Sequence, residues 1–158
     1  MPTFAVRPLP APLPASASLP TGARMIVVDE PDSYPCRRCL RDAAEGETVV
    51  LLSYDPFVDG ADTPYRQPGP IFVHAGPCAY EPSEELPDQL TRRLLSVRSF
   101  GDDHLMLGGV VVQGAELETT ADRLLGDEAV SYLHVHNAGP GCFAARIDRL
   151  DRVGSVMA

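Results

Sequence analysis

Apolar residues in this chain occur in short runs separated by turn-forming residues. The strongest run, Thr48 to Tyr54, is continuously apolar at its centre and predicts a strand that is buried on both faces. Similar runs predict further strands over residues 25–28, 71–74, 105–113, 129–137 and 142–150. The turn-forming segment Ala138-Gly139-Pro140-Gly141 separates the last two runs, so we expect these two strands to form a hairpin.

Two segments carry helical rather than alternating periodicity. Ser83 is a suitable N-cap for a helix over about residues 84–95, which has three leucines on one stripe. Thr119 or Thr120 caps a second short helix that ends at Gly126. Because strands outnumber helices and several are joined by short turns, we predict an α+β fold with a mainly antiparallel sheet and two short helices in a single domain.

Proline spacing divides the chain into an arm and a domain. Six prolines fall within the first 20 residues, which predicts a proline-rich arm over residues 1–22 and a single α+β domain over residues 23–158. Phe4 and Val6 are still able to add a short edge strand. Residues 55–70 form a second proline-rich stretch, and connections of this length are often functional.

The net charge of −9 excludes several classes of partner. A general nucleic-acid binder needs a basic surface to displace counterions, and an anionic membrane also attracts basic segments, so we expect neither partner. The chain contains no apolar run of about 20 residues, and the early prolines argue against a secretory signal. We therefore predict a cytoplasmic protein with reduced cysteines.

Cys36 and Cys39 form a C-x-x-C motif, with Arg37, Arg38 and Arg41 beside them. This spacing lets two thiolates chelate one zinc ion. It also occurs in dithiol redox motifs, in which nearby cations lower the pKa of a thiol. The third interpretation is that two small side chains pack in a turn without chemistry. A loop or a single helical turn is expected here, and the spacing leaves the three interpretations open.

Further metal-ligating side chains lie later in the chain. His134 and His136 share one face of a predicted strand, which suits half of a metal site or one face of a half-exposed strand. Cys142 meets them only if the hairpin connection has an odd number of residues, because pairing parity sets the face. His74 and Cys78 either complete a ligand set or pack in a loop. The candidate metal ligands are Cys36, Cys39, His134, His136 and Cys142, with zinc as the candidate ion.

A second group of residues suits the recognition of an anionic ligand. Tyr65 and Arg66 precede a predicted strand and can bind a carboxylate or phosphate, although a proline-stiffened connector is the slightly preferred interpretation. The candidate ligand-binding residues are Arg37, Arg38, Arg41, Tyr65, Arg66, His134, Asn137 and Cys142. The sequence identifies no catalytic residue and contains no nucleotide-binding motif.

Several of these segments together resemble a known family. They are Tyr34-Pro35-Cys36-Arg37-Arg38-Cys39-Leu40-Arg41-Asp42-Ala43, Gly46-Glu47, Leu51-Leu52-Ser53-Tyr54, Pro64-Tyr65-Arg66, Gly69-Pro70-Ile71-Phe72-Val73-His74, His134-Val135-His136-Asn137-Ala138 and Gly141-Cys142-Phe143. Over about residues 24 to 150 the chain resembles domain of unknown function 1203, an uncharacterised bacterial family. The resemblance implies a single-domain bacterial protein with no established activity. The family pattern often has Arg in place of His136, so the resemblance favours Cys142 and the Arg-rich segment as a shared site.

Three function hypotheses follow. The first is a domain that binds a small, anionic ligand or a protein partner in a cleft formed by residues 36–41, 65–70 and 134–142. The second is a metal- or thiol-dependent enzyme that uses Cys36, Cys39, Cys142 and His134. The third is a structural or interaction protein that makes contacts through the proline-rich arm. The sequence leaves open whether the protein is an enzyme, and it is compatible with a homo-oligomer.

Overall fold

The computed structural model describes residues 3–9, 22–57 and 61–150, and these ranges contain eight strands, two short α-helices and one 3-10 turn. In chain order the elements are β1 (Phe4–Arg7), β2 (Arg24–Val27), β3 (Thr48–Tyr54), β4 (Gly69–His74), α1 (Asp88–Thr91), β5 (Leu94–Phe100), β6 (Met106–Gln113), the 3-10 turn (Gly114–Glu116), α2 (Leu117–Leu125), β7 (Tyr132–Asn137) and β8 (Phe143–Arg149).

The strands form two antiparallel sheets. One has five strands in the order β1-β8-β7-β5-β6, and the other has three in the order β2-β3-β4. The predicted mainly antiparallel architecture with two short helices is thus confirmed for the described residues. This is the composition of an α+β or a mainly β fold. No helix in the described ranges is both long and apolar enough to cross a membrane.

One face of the five-stranded sheet carries the larger hydrophobic core. Leu95 and Val97 on β5, and Leu133 and Val135 on β7, are fully buried at alternating strand positions. Helix α2 contributes further apolar side chains to the same core, namely Leu117, Ala121 and Leu125. The intervening positions of β5 and β7 therefore face the other side of the sheet, away from α2.

The three-stranded sheet contributes side chains to a second core that contains two cysteines. Val50 of β3 and Ile71 of β4 pack there with Cys36 and Cys39. Phe143 of β8 reaches the same cluster from the five-stranded sheet. This second core therefore connects the C-x-x-C segment to both sheets.

The helix predicted over residues 84–95 is wrong. Ser83 caps no helix; its hydroxyl accepts a hydrogen bond from the amide of Glu85 at 3.2 Å, and helix α1 spans only Asp88–Thr91. Leu94 instead begins β5, whose alternating apolar residues are buried in the sheet. Burial in the sheet therefore outweighs the helical spacing of the leucines.

Other predicted boundaries are closer to the structure. Helix α2 ends beside Gly126 as expected, but it starts at Leu117 after the 3-10 turn, so Thr119 and Thr120 lie inside it. The predicted edge strand at Phe4 and Val6 is confirmed, because β1 pairs with β8. Residues 1–2 and 10–21 of the predicted arm, 58–60 of the long connection and 151–158 of the predicted domain lie outside the described residues.

Candidate metal centre and neighbouring cleft

The C-x-x-C segment forms a single tight turn. The amide of Leu40 donates to the carbonyl of Cys36 at 3.0 Å, and the amide of Cys36 donates to the carbonyl of Arg41 at 3.1 Å. Leu40 has φ 60°, a left-handed conformation that ends the turn. The turn keeps Cys36 and Cys39 close together, as the sequence predicted for this segment.

A backbone bridge brings this turn to the end of β4. Cys36 pairs in parallel with Phe72, and the amide of Arg37 donates to the Phe72 carbonyl at 3.0 Å. The amide of His74, the last residue of β4, donates to the sulfur of Cys36 at 3.3 Å. His74, and Cys78 four residues after it, therefore lie beside the turn.

Four side chains meet at this point and form what we call the Cys3His cluster: Cys36, Cys39, His74 and Cys78. Their ligand atoms all lie within 4.8 Å of one another. The sulfurs of Cys36 and Cys78 are 3.8 Å apart, and the sulfur of Cys39 is 3.5 Å from His74 Nδ1. A tetrahedral zinc ion with ordinary bond lengths separates two sulfurs by about 3.8 Å and a sulfur and a nitrogen by about 3.6 Å. These two distances match those of a tetrahedral metal site, and the cluster could hold a metal ion.

Polar groups behind the cluster orient its ligands. His74 presents Nδ1 to Cys39, and its Nε2 lies 3.2 Å from Glu47 Oε1. Glu47 also accepts a hydrogen bond of 2.6 Å from the amide of Ala44, and this bond, followed by the contact with His74, lowers the pKa of Glu47. A carboxylate on the far nitrogen of a ligating imidazole is a recurrent arrangement in metalloproteins, because it fixes the tautomer and the ring orientation.

Arg38 supplies positive charge beside the cluster. Its Nε donates to the sulfur of Cys78 at 3.1 Å, and its Nη2 donates to the carbonyls of His74 and Gly76 at 2.8 and 2.6 Å. Three thiolates and a divalent ion would carry a net negative charge, so a guanidinium at this position would stabilise the site if it held such an ion.

The thiols of Cys36 and Cys39 interact with each other and are buried. A hydrogen bond from Cys39, followed by hydrogen bonds from backbone amides, lowers the pKa of Cys36 to about 4. The same interaction, together with burial, raises the pKa of Cys39. Both residues are almost fully buried, at 0% and 2% exposure. Reactive cysteines are partly exposed, so this burial favours a chelate over a dithiol that reacts with outside molecules.

Cys142 does not join the two imidazoles of β7. His136 pairs with Phe143, and the amide of Asn137 donates to the carbonyl of Cys142 at 2.9 Å, so the connection has an even number of residues. Cys142 consequently lies on the face of Asn137, whose amide nitrogen is 3.6 Å from its sulfur. The structure therefore does not bring together the predicted metal ligands Cys36, Cys39, His134, His136 and Cys142 as one set.

The arginines of the C-x-x-C segment also separate. Arg37 is buried and donates to the carbonyls of Phe143 and Pro35 at 2.7 and 2.6 Å and to the sulfur of Cys142 at 3.0 Å. This burial lowers the pKa of Arg37. Arg41 is exposed and lines a different depression, near α1. Residues 36–41 therefore do not form one cleft with residues 65–70 and 134–142 as predicted.

Part of the predicted ligand site does converge. We use the name aromatic cleft for a cavity of about 490 Å³ that lies against β5 and β7. Of the predicted residues, Tyr65, Arg66, His134 and His136 line it. Cys142 also borders the cleft, although its sulfur contacts Arg37 and Asn137 rather than the imidazoles. Arg37 lies behind its wall through contacts with Cys142 and Phe143, and Asn137 is buried on the other face of the sheet.

His134 and His136 are uncharged at neutral pH in this environment. Burial, followed by the nearby charges of His136 and Arg146, lowers the pKa of His134 to about 3. Burial also lowers the pKa of His136 to about 4. The Nε2 atom of His134 is buried without a hydrogen-bond partner among the described residues.

Sequence reasoning missed two residues that the geometry makes important. Glu47 supports His74, and Arg98 of β5 lies directly opposite His134 of β7 and lines the aromatic cleft. Glu47 belongs to the short Gly46-Glu47 segment of the family resemblance, but that segment gave it no chemical role. Arg98 occupies an alternating position of β5, but its neighbour becomes known only from the pairing register of two strands.

Comparisons with known proteins give one family and no closer relative. A search of curated proteins and a search of solved structures each found no match. The model of one family matches residues 33–149 of the 158-residue chain, a range that contains every member of the Cys3His cluster. The family match agrees with the resemblance found in the motifs, and the chain belongs to the family described as Protein of unknown function (DUF1203).

Proposed function

We propose that this protein is a zinc-binding domain in which Cys36, Cys39, His74 and Cys78 hold one ion with a structural role. The observation that carries the proposal is the convergence of four donor atoms, from two separate segments, within 4.8 Å of one another. The spacings of 3.8 Å between two sulfurs and 3.5 Å between a sulfur and a nitrogen support it further.

The donor set favours zinc among the common ions. Three sulfurs and one imidazole suit a soft or borderline ion, whereas magnesium and calcium prefer oxygen ligands. Four protein ligands complete a tetrahedral zinc shell and leave no open position for a substrate. The proposal therefore assigns the ion to stability of the fold and no catalytic step to the cluster.

The ion would join the turn of Cys36 and Cys39 to the end of β4. That junction already contains the backbone bridge between Cys36 and Phe72. The proposal treats residues 23–158 as a single α+β domain of a bacterial, cytoplasmic protein, preceded by the proline-rich arm of residues 1–22. The four free cysteines support this compartment, because thiolate ligands persist where thiols stay reduced.

Elemental analysis of protein purified without a polyhistidine tag tests the proposal. We expect about one zinc per chain in the wild type and in Cys142→Ser, because Cys142 lies outside the cluster. Cys78→Ser is expected to hold well below one equivalent. These variants remove the same chemical group from two partly exposed positions, so they form a matched pair.

X-ray absorption of the zinc-loaded wild type provides a test that needs no variant to fold. We expect about three sulfurs near 2.3 Å and one nitrogen at roughly 2.0–2.1 Å. A wild type that takes up no zinc, or a shell dominated by oxygen, contradicts the proposal. Equal zinc loss in Cys142→Ser and Cys78→Ser also contradicts it.

A further inference from the structure

The aromatic cleft is a second site, separate from the Cys3His cluster. Its floor is the face of the five-stranded sheet that α2 does not cover, and its rim includes residues 64–70. Arg98 and His134 are paired across β5 and β7, so their side chains leave the same face as direct neighbours. The cavity of about 490 Å³ lies within the range that holds small organic ligands.

Arg98 is a half-buried cation without a carboxylate partner among the described residues. Its Nε donates to Ser96 Oγ at 3.2 Å, and its Nη1 lies 3.4 Å from His136 Nε2. Arg66, which lines the same cleft, is paired with Asp55 at 2.9 Å. The chain has 22 acidic residues against 13 basic ones, so an arginine that faces a cavity without a carboxylate is well placed for an anion from solution.

His136 fixes the orientation of Arg98. Its Nδ1 lies 2.9 Å from the carbonyl oxygen of Gly141 and donates a hydrogen bond to it, so Nε2 presents its lone pair to the guanidinium. The Nη2 group of Arg98 has no hydrogen-bond partner in the described part of the chain. Two contacts therefore hold Arg98 in place, while the Nη2 group of its guanidinium can still donate hydrogen bonds to a bound anion.

His134 adds an unsatisfied polar atom to the same floor. The residue is only 1% exposed, and its Nε2 is buried without a partner among the described residues. Buried polar atoms of side chains nearly always have a hydrogen-bond partner, so an orphan in the wall of a cavity points to a group that occupies the cavity. In the tautomer with a proton on Nε2, His134 donates to an anion bound by Arg98.

The rest of the cleft is apolar and aromatic. Phe57, Phe100, Phe143 and Tyr65 all line it, and Phe57 and Phe100 lie with ring centroids 5.3 Å apart. Tyr65 is 43% exposed at the rim. Flat aromatic walls pack best against another planar apolar group, since stacked and edge-to-face ring pairs are favourable.

We propose that the aromatic cleft binds a small aromatic carboxylate, whose carboxylate pairs with Arg98 and accepts a hydrogen bond from His134 while its ring packs against the aromatic wall. The proposal goes beyond zinc binding by the Cys3His cluster and does not depend on it.

Titration of the full chain with 2-naphthoate, followed by amide chemical shifts, tests this proposal. We expect saturable binding with shifts centred on β5 and β7. The neutral, similarly shaped 2-naphthamide is expected to bind at least tenfold more weakly. Acetate and inorganic phosphate are expected to bind still more weakly, because they lack the ring.

Variants assign the binding to the proposed residues. Arg98→Met is expected to weaken 2-naphthoate binding at least tenfold, and Arg98→Lys by less, because lysine keeps the charge but loses the fork. Arg123→Gln, an exposed arginine on α2, serves as the control and is expected to leave the affinity unchanged. The amide spectrum of each variant verifies that it is folded.

Several results would overturn the proposal. They are no saturable binding of 2-naphthoate by the wild type, equal binding of 2-naphthamide, or an affinity that Arg98→Met leaves intact. Phosphate binding as tight as that of 2-naphthoate would instead indicate an inorganic-anion site. None of these results bears on the zinc content of the protein.

Discussion

The Cys3His cluster and the aromatic cleft use similar side chains in opposite ways. In the cluster, two of the four ligands have a side chain behind them: Glu47 supports His74, and Arg38 contacts Cys78. In the cleft, Arg98 has no carboxylate partner and His134 has an unsatisfied nitrogen among the described residues. A set of polar groups that satisfies itself suits a structural role, whereas unsatisfied groups in the wall of a cavity suit binding of a molecule from solution.

Loss of one cluster ligand is expected to have the largest effect. Cys78→Ser should lower the free energy of unfolding by about 4 kcal/mol, because loss of a bound metal is among the most destabilising changes. Urea unfolding in the presence of zinc measures this change, and Cys142→Ser is the control, with an expected loss below about 1 kcal/mol. Similar losses of unfolding free energy in Cys78→Ser and Cys142→Ser would contradict a stabilising role that is specific to the Cys3His cluster.

Substitutions of the adjacent residues Arg37 and Arg38 are expected to have the next largest effects, one on stability and the other on zinc binding. Arg37→Met should cost about 3 kcal/mol of stability, because the carbonyls of Phe143 and Pro35 lose a buried donor. Its zinc content should stay at about one equivalent. Arg38→Met should show the reverse pattern, with little loss of stability in excess zinc but weaker zinc binding, because Arg38 contacts Cys78. Chemical unfolding measures stability, and competition with a chelator measures zinc affinity. If both variants lose the same property, the assignment of Arg37 to the fold and of Arg38 to the Cys3His cluster is wrong.

Glu47 tests whether the support of His74 matters to the cluster. Glu47→Gln should weaken zinc binding roughly 10- to 100-fold, which is typical of a lost carboxylate behind a ligating imidazole. Competition with a chromophoric chelator provides the measurement. Glu45→Gln removes the same charge from an exposed position two residues away, and it should bind zinc as the wild type does. If both variants weaken binding equally, net charge rather than the contact with His74 is responsible.

Acid sensitivity at the cleft is the smallest expected effect. The pKa of His136 is lowered from 6.5 to about 4, so the unfolded chain takes up a proton below pH 6.5 that the folded chain does not bind. Stability from this residue is therefore complete above pH 6.5 and falls as the pH falls towards 4. Between pH 7 and pH 6 we expect a loss of about 0.7 kcal/mol that His136→Gln lacks. Urea unfolding at both pH values measures the difference, and identical pH dependence would show that His136 is already accessible to protons.

Most strands were predictable from local sequence, but strand β5 and the extent of the helix before it were not. Continuous and alternating apolar runs gave β3, β4, β7 and β8 with small errors at their ends. Leu90 and Leu94 fit a helical stripe, yet Leu94 begins β5 because the alternating residues after it are buried between neighbouring elements. The local sequence pattern is compatible with either a helix or a strand at Leu94, and only burial in the folded protein distinguishes them.

The candidate site was predictable in its parts and not in its assembly. The C-x-x-C motif identified Cys36 and Cys39, and the H-x3-C spacing offered His74 and Cys78 as alternatives to loop packing. The backbone bridge between Cys36 and Phe72 joins these pairs, and nothing in local spacing reveals such a bridge. The parity of the hairpin, which keeps Cys142 from the imidazoles, likewise depends on a register that the sequence left open.

The long separation between the two halves of the Cys3His cluster has a consequence for the unfolded chain. Cys39 and His74 are 35 positions apart (74 minus 39), so the proposed zinc ion would close a loop of that size. Loop closure of this length removes conformational entropy worth about 4 kcal/mol from a denatured chain in which the link persists. In a chain whose cysteines are all free, the proposed zinc cross-link would be one that a chelator removes and a reductant does not.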